Sequence, residues 1–346
     1  MGARVVELLE ELVSIPGPSG FEGRIRGHIR ARLEALGLRP QVDDVGNIYV
    51  EIPGEGRGVL LAAHMDELGL VVTHVEDSGL LRFAKLGGID DRILPSTRVT
   101  LLGSKGDVPG VIGLTPPHLQ LDRDNRGQTV PWHRLAIDIG ASSREEALEM
   151  GVDTLTPAVF EKPWVELGGG RLVASRAVDD RAGCAVLLRL AERVASGDLK
   201  PRSRLVLAWT VQEEVGLRGA LALSRALNPA LMVAVDTVSC CEPAVTGALR
   251  LGGGAVLRAA DLAYIADPAL VSALERLARA RGIPVQKTVA GGGTDAAAFQ
   301  RAGVRAVALG VAVKYTHSTV ETVSKSDLAA LEELAAALAE EWPIQP

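Results

Sequence analysis

The stretch that decides the fold is residues 205–216, LVLAWTVQEEVG, in which an apolar run typical of a buried strand leads directly into Glu213 and Glu214. Taken alone, the two carboxylates could equally form the acidic first turn of a helix, where they interact with the positive end of its dipole. The same arrangement recurs four more times, where apolar runs end at His64-Met65-Asp66, at Asp179-Asp180, at Asp236 and at His317. Five separate caps or turns are a less economical explanation than one shared site.

The composition indicates a globular protein with aliphatic cores. Of its 346 residues, 47% are hydrophobic but only 3% are aromatic, a balance that suits helices packed on a parallel sheet. This length suggests two domains or three. The net charge of −6 argues against nucleic acid or an anionic membrane surface as the main partner.

Neither a signal peptide nor a membrane span is expected. The N-terminus has no cationic segment followed by an apolar one, and no apolar run is long enough to cross a bilayer. The three cysteines, Cys184, Cys240 and Cys241, have no C-x-x-C spacing. The adjacent pair could form a vicinal disulfide, but reduced thiols are the simpler expectation. We therefore expect a soluble cytoplasmic enzyme.

Two regions of the chain, residues 1–67 and 165–346, alternate apolar strand-like runs with amphipathic helices. Such alternation predicts a mostly parallel sheet that is covered by helices on both faces. We predict that the two regions together form one discontinuous α/β domain.

The region between them, residues 68–164, has a different pattern. Helical spacing gives way to short strand-like runs at 70–75, 80–86, 98–102, 111–114 and 135–139. Asp77-Ser78-Gly79 is a hairpin turn signal between the first two runs. The one helix expected there, 144–150, begins with a capping box of Ser142-Ser143 and Glu146. We predict that residues 68–164 are an inserted, small all-β domain.

The residues at the predicted strand ends have the chemistry of a metal site. In open α/β sheets, ligands bind beyond the carboxyl ends of the strands. The five positions there are His64, Asp179, Glu214, Asp236 and His317. Imidazoles and carboxylates without sulfur suit catalytic Zn, Co or Mn better than a structural zinc. Five ligands are too many for one open ion, but they suffice for two if a carboxylate bridges ions about 3.5–4 Å apart.

Each of these residues also has a structural explanation. His64 could be a surface histidine, Asp66 could cap a turn, and one member of Asp179-Asp180 is a good helix N-cap. Asp236 could cap a helix, and His317 could belong to a turn. Singly these explanations are the simpler ones for most positions; jointly they are not, and we predict a two-metal hydrolase.

Six sequence blocks resemble the cytoplasmic metallo-aminopeptidases of the glutamyl aminopeptidase and tetrahedral aminopeptidase (TET) type, over nearly the whole chain. The blocks are AAHMDELG at 62–69, AVDDRAGC at 177–184, TVQEEVGLRGA at 210–220, VAVD at 233–236, GGGTDAAAF at 291–299 and KYTHSTVE at 314–321. The order and spacing of these blocks, with the insertion directly after the first, are specific to this family. The resemblance implies a sheet of the zinc-exopeptidase type.

The resemblance also implies the role of each ligand. His64 and Asp236 would bind one metal, Glu214 and His317 the other, and Asp179 would bridge the two. A cis peptide bond would follow Asp179.

Two acidic residues beside the ligands have implied roles of their own. Glu213 resembles the general base of the family, which takes a proton from a metal-activated water and delivers it to the leaving amine. Asp66 would hydrogen-bond the His64 imidazole and set its tautomer.

Other implications concern the substrate and assembly. Gly292, Gly293, Thr294 and Asp295 could contact substrate, or they could form an ordinary glycine loop with Thr294 as a helix cap. The chain departs from the family pattern at Ala312 and Lys314, where Pro and Arg are usual, which leaves the nearby pocket shape open. In the family, the insertion mediates dimers that build a tetrahedral dodecamer, so we expect self-association and short peptide substrates.

Three functions follow from these observations. The first is an aminopeptidase that uses two divalent ions, Zn or Co, with Mn as a third choice. The second keeps the metals but acts on N-acyl amino acids as a deacylase. The third is a non-catalytic assembly protein with a vestigial site, against which the intact ligand set argues. The preferred N-terminal residue and the physiological metal do not follow from the sequence.

Overall fold

The computed structural model of the chain describes residues 2–119, 128–161 and 163–344. The helices in these residues are α1 Ala3–Val13, α2 Gly23–Ala35, α3 Arg144–Glu149, α4 Val178–Ser196, α5 Arg218–Ala226, α6 Pro243–Thr246, α7 Pro268–Ala280, α8 Ala296–Arg301 and α9 Lys325–Glu341. The strands are β1 Gln41–Val42, β2 Ile48–Ile52, β3 Glu55–His64, β4 Gly69–Val75, β5 Leu81–Leu86, β6 Arg98–Gly103, β7 Gly106–Ile112, β8 Ile137–Asp138, β9 Pro157–Phe160, β10 Val165–Leu167, β11 Leu172–Ser175, β12 Ser203–Thr210, β13 Leu231–Ser239, β14 Ala255–Ala260, β15 Val285–Val289, β16 Ala306–Lys314 and β17 Glu321–Ser324. None of the described helices is both long enough and apolar enough to cross a membrane.

Strands β12, β3, β13 and β16 form the parallel centre of a mixed sheet. From edge to edge the order is β1-β2-β12-β3-β13-β16-β17-β11-β10, and β14 pairs with β16 and β15 off this path. The central strands contain apolar runs such as VLLAA and LVLAW, as expected where helices cover both faces. The flanking strands β2 and β17 run antiparallel to this centre. The predicted α/β class is confirmed, and antiparallel strands extend the parallel centre on both sides.

Helix α4 anchors the helical layers, since it contacts α1, α9 and the central strands β3 and β13. Its buried residues are mainly alanine, valine and leucine, which lets helix and sheet approach closely. Trp209 is the largest fully buried side chain, and its Nε1–H donates to the backbone carbonyl of Cys184 at 3.2 Å. The predicted helices of this domain are present, with ends that differ by a few residues.

The segment from β4 to β9 forms a closed barrel in the order β4-β5-β8-β7-β6-β9, with a hydrophobic core of its own. The predicted turn at Asp77-Ser78-Gly79 joins the antiparallel strands β4 and β5. Ser143 caps α3 by accepting the N–H of Glu146, as the capping box predicts. The inserted β domain is therefore confirmed as a barrel, while its exact boundaries, residues 68–164, stay a prediction.

Two barrel strands differ from the prediction. Strand β7 begins at Gly106 instead of residue 111. The prediction missed its first half because Pro109 and Gly110 interrupt the alternating hydrophobic pattern. Pro109 nevertheless lies opposite Thr100 in the ladder. Strand β9 has no counterpart among the predicted strands, since four apolar residues show no periodicity. It nevertheless closes the barrel between β4 and β6.

Candidate active site

The five side chains predicted as metal ligands line one cavity of about 690 Å³. His64 is the last residue of β3, Glu214 follows β12, and Asp236 lies in β13. Asp179 lies in the first turn of α4, and His317 lies in the loop after β16. The parallel centre of the sheet explains this convergence, since its strands all end at one edge.

One predicted strand end is wrong, and one alternative considered for the carboxylate pair is excluded. Strand β13 does not end before Asp236 but continues to Ser239, because Thr237 and Val238 extend its pairing with β16. Glu213 and Glu214 do not form the first turn of a helix, since α5 begins only at Arg218. The two carboxylates lie in the loop between β12 and α5.

The two oxygens of Asp179 face different histidines. Oδ1 lies 3.4 Å from Nε2 of His64, and Oδ2 lies 3.7 Å from Nε2 of His317. Oδ1 of Asp236 lies 3.9 Å from the same His64 nitrogen, and Oε2 of Glu214 lies 3.6 Å from the same His317 nitrogen. A tetrahedral ion with bonds of about 2.1 Å holds its ligand atoms about 3.4 Å apart. These separations therefore suit donors that share cations better than donors that bond each other.

Asp180 also lies close to the site. Ligand atoms of His64, Asp179 and Glu214 all lie within 4.8 Å of one another, and so do those of His64, Asp180 and Asp236. The bond between Asp179 and Asp180 is a cis peptide, as the resemblance implies. Oδ1 of Asp180 accepts the N–H of Gly183 at 2.9 Å, while its Oδ2 is buried without a hydrogen-bond partner in the described residues.

The site concentrates buried negative charge. Burial raises the pKa of Glu213 and of Glu214 well above the ordinary value, and nearby carboxylates add to the effect. Burial, reinforced by Asp179, raises the pKa of Asp236 to about 7. Burial opposes protonation of His64, but Asp179 and Asp66 outweigh it and raise the imidazole pKa well above its ordinary value. Bound cations would relieve this repulsion.

Asp66 holds the strand-end part of the site together. Its carboxylate accepts the N–H of Glu213 at 2.9 Å, the N–H of Glu214 at 3.3 Å and the hydroxyl of Ser19 at 2.6 Å. Nδ1 of His64 lies 3.2 Å from the Asp66 backbone carbonyl and 3.6 Å from its carboxylate. The carbonyl is thus the hydrogen-bond acceptor that orients the ring, and the carboxylate acts on His64 through its charge.

The glycine loop divides into an exposed and a buried part. Gly292 and Gly293 line the cavity, together with Gly291. Thr294 and Asp295 are buried and do not line it, and Oδ2 of Asp295 accepts the Thr210 hydroxyl at 2.5 Å. Oγ1 of Thr294 has no hydrogen-bond partner in the described part of the chain, so the side-chain cap weighed for Thr294 is absent there.

Sequence reasoning missed two charged residues. Arg258 in β14 lines the cavity, and its guanidinium donates to the carbonyls of Gly291 at 3.0 Å and Gly293 at 3.4 Å. Glu321, at the start of β17, accepts backbone N–H groups of Asp179 and His317. Glu321 lies in the quoted block KYTHSTVE, so its position four residues after His317 was the available signal.

The two departures from the family pattern lie beside the cavity. Ala312 is buried in β16 opposite Val238, which itself lines the cavity, and Lys314 is the last residue of that strand. Neither Ala312 nor Lys314 is among the described residues that line the cavity. Their effect on its shape is therefore indirect.

The fold and the donor set define an α/β protein with a candidate cation site at the sheet edge, and comparison with known proteins identifies the family. The profile of the M42 glutamyl aminopeptidase family matches residues 46–334. The lysyl aminopeptidase of Pyrococcus furiosus is 32% identical over 342 residues, which cover 97% of this chain and 96% of that protein. The chain therefore belongs to the M42 glutamyl aminopeptidase family.

Solved structures agree with this assignment. The TET1 peptidase of Pyrococcus horikoshii, described as able to assemble into a tetrahedron or a large octahedral shell, is 43% identical with a TM-score of 0.91, over 97% of this chain and 99% of that one. A structure of PhTET1-12s, a dodecamer in its asymmetric unit, is 42% identical with a TM-score of 0.91 over the same shares. Family membership places the chain among the aminopeptidases, a class of hydrolases, and the M42 peptidases are metalloenzymes.

Proposed function

We propose that this protein is an aminopeptidase that binds two divalent metal ions and removes single N-terminal residues from short peptides. One observation carries the proposal: the two oxygens of Asp179 face His64 and His317 at 3.4 and 3.7 Å, the arrangement that a bridging carboxylate needs. Only a carboxylate has two oxygens that can reach two cations at once.

The remaining ligands divide between the two ions. His64 and Asp236 would hold one ion, and Glu214 and His317 would hold the other. The donor set of imidazoles and carboxylates suits Zn or Co, with Mn as a third choice. Oε1 of Glu214 is buried without a hydrogen-bond partner in the described residues, which fits an atom that contacts a cation.

Glu213 is the proposed general base. When bound, two divalent ions would lower the pKa of a water and polarise the peptide carbonyl. Glu213 lines the cavity, where its carboxylate takes a proton from the attacking water and passes it to the leaving amine. Asp66 fixes the backbone N–H of Glu213 and so limits its movement.

We further propose that the chain self-associates through residues 68–164, from dimers up to a tetrahedral dodecamer, in the cytoplasm. Two observations support self-association: PhTET1-12s is a dodecamer and the TET1 peptidase can assemble into a tetrahedron or a large octahedral shell, and the barrel segment of this chain exposes apolar side chains at Val111, Leu114 and Leu119. A closed particle would admit only short peptides.

The activity is tested by metal removal and return. Protein treated with a chelator and dialysed is assayed on aminoacyl chromogenic substrates with free amines, with and without added Zn²⁺ or Co²⁺. We expect activity to vanish on removal and to return with the metal. Matched N-acetylated substrates should not be hydrolysed; their preferential hydrolysis would favour the deacylase. Activity that resists the chelator would contradict the proposal.

A further inference from the structure

We infer that Glu321 is a positioning residue that fixes the bridging carboxylate and the more exposed histidine relative to each other. The inference rests on the proposed two-metal site. Glu321 is 2% exposed. Its Oε2 accepts the backbone N–H of Asp179 at 3.0 Å, and its Oε1 accepts the backbone N–H of His317 at 2.8 Å.

The two residues that Glu321 holds need such support, since neither lies in a strand of the sheet. Asp179 follows β11 in the non-helical beginning of α4, and His317 lies in the loop between β16 and β17 with a φ of 62°. Tyr315 and Val320 of that loop are 60% and 49% exposed. One buried carboxylate therefore ties the backbone of this exposed loop to the backbone of the proposed bridging ligand.

Strand pairing determines where Glu321 lies. It is the first residue of β17 and pairs with Ser175, the last residue of β11, just before the chain enters α4. Arg176 is buried and lines the same small closed space of about 10 Å³ as Glu321. The hydrogen bonds from the backbone N–H groups of Asp179 and His317 favour the ionised carboxylate of Glu321, against burial and the charge of Asp179.

Asp66 is a second buried carboxylate that holds the backbone of proposed site residues. It accepts the backbone N–H groups of Glu213 and Glu214, just as Glu321 accepts those of Asp179 and His317. Each imidazole also has its Nδ1 near a backbone carbonyl, that of Asp66 for His64 at 3.2 Å and that of Gly88 for His317 at 3.0 Å. The repetition of this arrangement indicates that Glu321 belongs to the support of the site and is more than a strand residue.

The test is Glu321→Gln, titrated with Zn²⁺ after metal removal in competition with a chromogenic chelator. The amide retains one acceptor oxygen but turns an NH₂ group toward the other backbone N–H, so one of the two hydrogen bonds is lost. We expect the affinity for the ion at His317, the histidine that Glu321 holds, to fall about 10- to 100-fold, and the affinity for the ion at His64 to fall less. Excess Zn²⁺ should then recover much of the lost activity.

Asp327→Asn is the matched control. The buried Asp327 carboxylate accepts the N–H groups of Gly252 at 2.7 Å and Gly254 at 2.8 Å, and none of these residues lines the cavity. The Tm of Asp327→Asn should fall about as much as the Tm of Glu321→Gln, but the control should bind both ions with wild-type affinity. Glu321→Asp keeps the charge but is one methylene too short to reach both amides. This variant should also bind the ion at His317 with lower affinity.

The outcomes are distinguishable. If folded Glu321→Gln or Glu321→Asp protein binds both ions with wild-type affinity, Glu321 has no positioning role. A wild-type protein that binds fewer than two ions would instead refute the proposed function. If Asp327→Asn loses an ion as well, the effect of Glu321 is a general loss of stability, which overturns the inference.

Discussion

The two imidazoles of the candidate site lie in different surroundings. The His64 side chain is 3% exposed and ends a central strand, whereas the His317 side chain is 44% exposed and lies in a loop. The sheet holds the first in place, while the second depends on contacts with Glu321 and Gly88. A buried ligand is less exposed to water, and a ligand that is already fixed in place loses less conformational entropy when an ion binds. We therefore expect the ion at His64 to bind more tightly than the ion at His317.

The largest effect is expected from Glu213→Gln, which leaves both halves of the site intact. Without a base, kcat should fall about 10²- to 10⁴-fold, while two ions still bind, because Glu213 is not a proposed ligand. Stopped assays of kcat together with metal analysis of the purified variant check this. Near-normal turnover would exclude Glu213 as the base.

Replacing each histidine with alanine compares the proposed ion position at His64 directly with the one at His317. His64→Ala should remove the tighter binding phase of a Zn²⁺ titration and lower Tm, since it leaves a buried cavity behind. His317→Ala should remove the weaker phase with little change in Tm, because the side chain is half-exposed. His74→Ala, on the barrel, is the control with two normal phases. Loss of the same phase in both variants would contradict the assignment of separate ions.

A smaller effect is expected from pH on the metal-stripped protein. Burial, reinforced by Asp179, raises the pKa of Asp236 to about 7 and that of Glu321 to about 8. The folded state then binds more protons than the unfolded state between about pH 4 and pH 8, so its stability falls as pH rises through this window. His64, whose pKa is also raised, acts in the same direction.

Thermal unfolding at several pH values measures this effect. Between pH 5 and pH 8 the metal-stripped protein should lose several degrees of Tm, and the loss should be much smaller in protein saturated with Zn²⁺, where the carboxylates are ionised at every pH tested. A Tm of the stripped protein that stays level or rises over this range would contradict the raised pKa values of Asp236 and Glu321.

The sequence predicts the parts of the site that follow long apolar strands. Since β3, β12 and β13 are parallel neighbours, residues at their ends must meet at one edge, and His64 and Glu214 could be placed from the pattern alone. The α/β class and the β insertion follow from the same periodicity.

Other features do not lie at the end of a long apolar strand. Glu321 and Arg258 are single charged residues in short strands, so only the three-dimensional pairing shows what they contact. The burial of Thr294 and Asp295 depends on how the glycine loop packs, and the GGGTDA pattern does not encode it. Pro109 and Gly110 hide a barrel strand because strand patterns rely on alternating side chains.

Anomalous diffraction from crystals grown with Zn²⁺ tests the central claim most directly. We expect two peaks about 3.5–4 Å apart, one beside His64 and Asp236 and one beside Glu214 and His317, with Asp179 between them and the weaker peak on the His317 side. A single peak, or two peaks that do not share Asp179, would contradict the two-metal site.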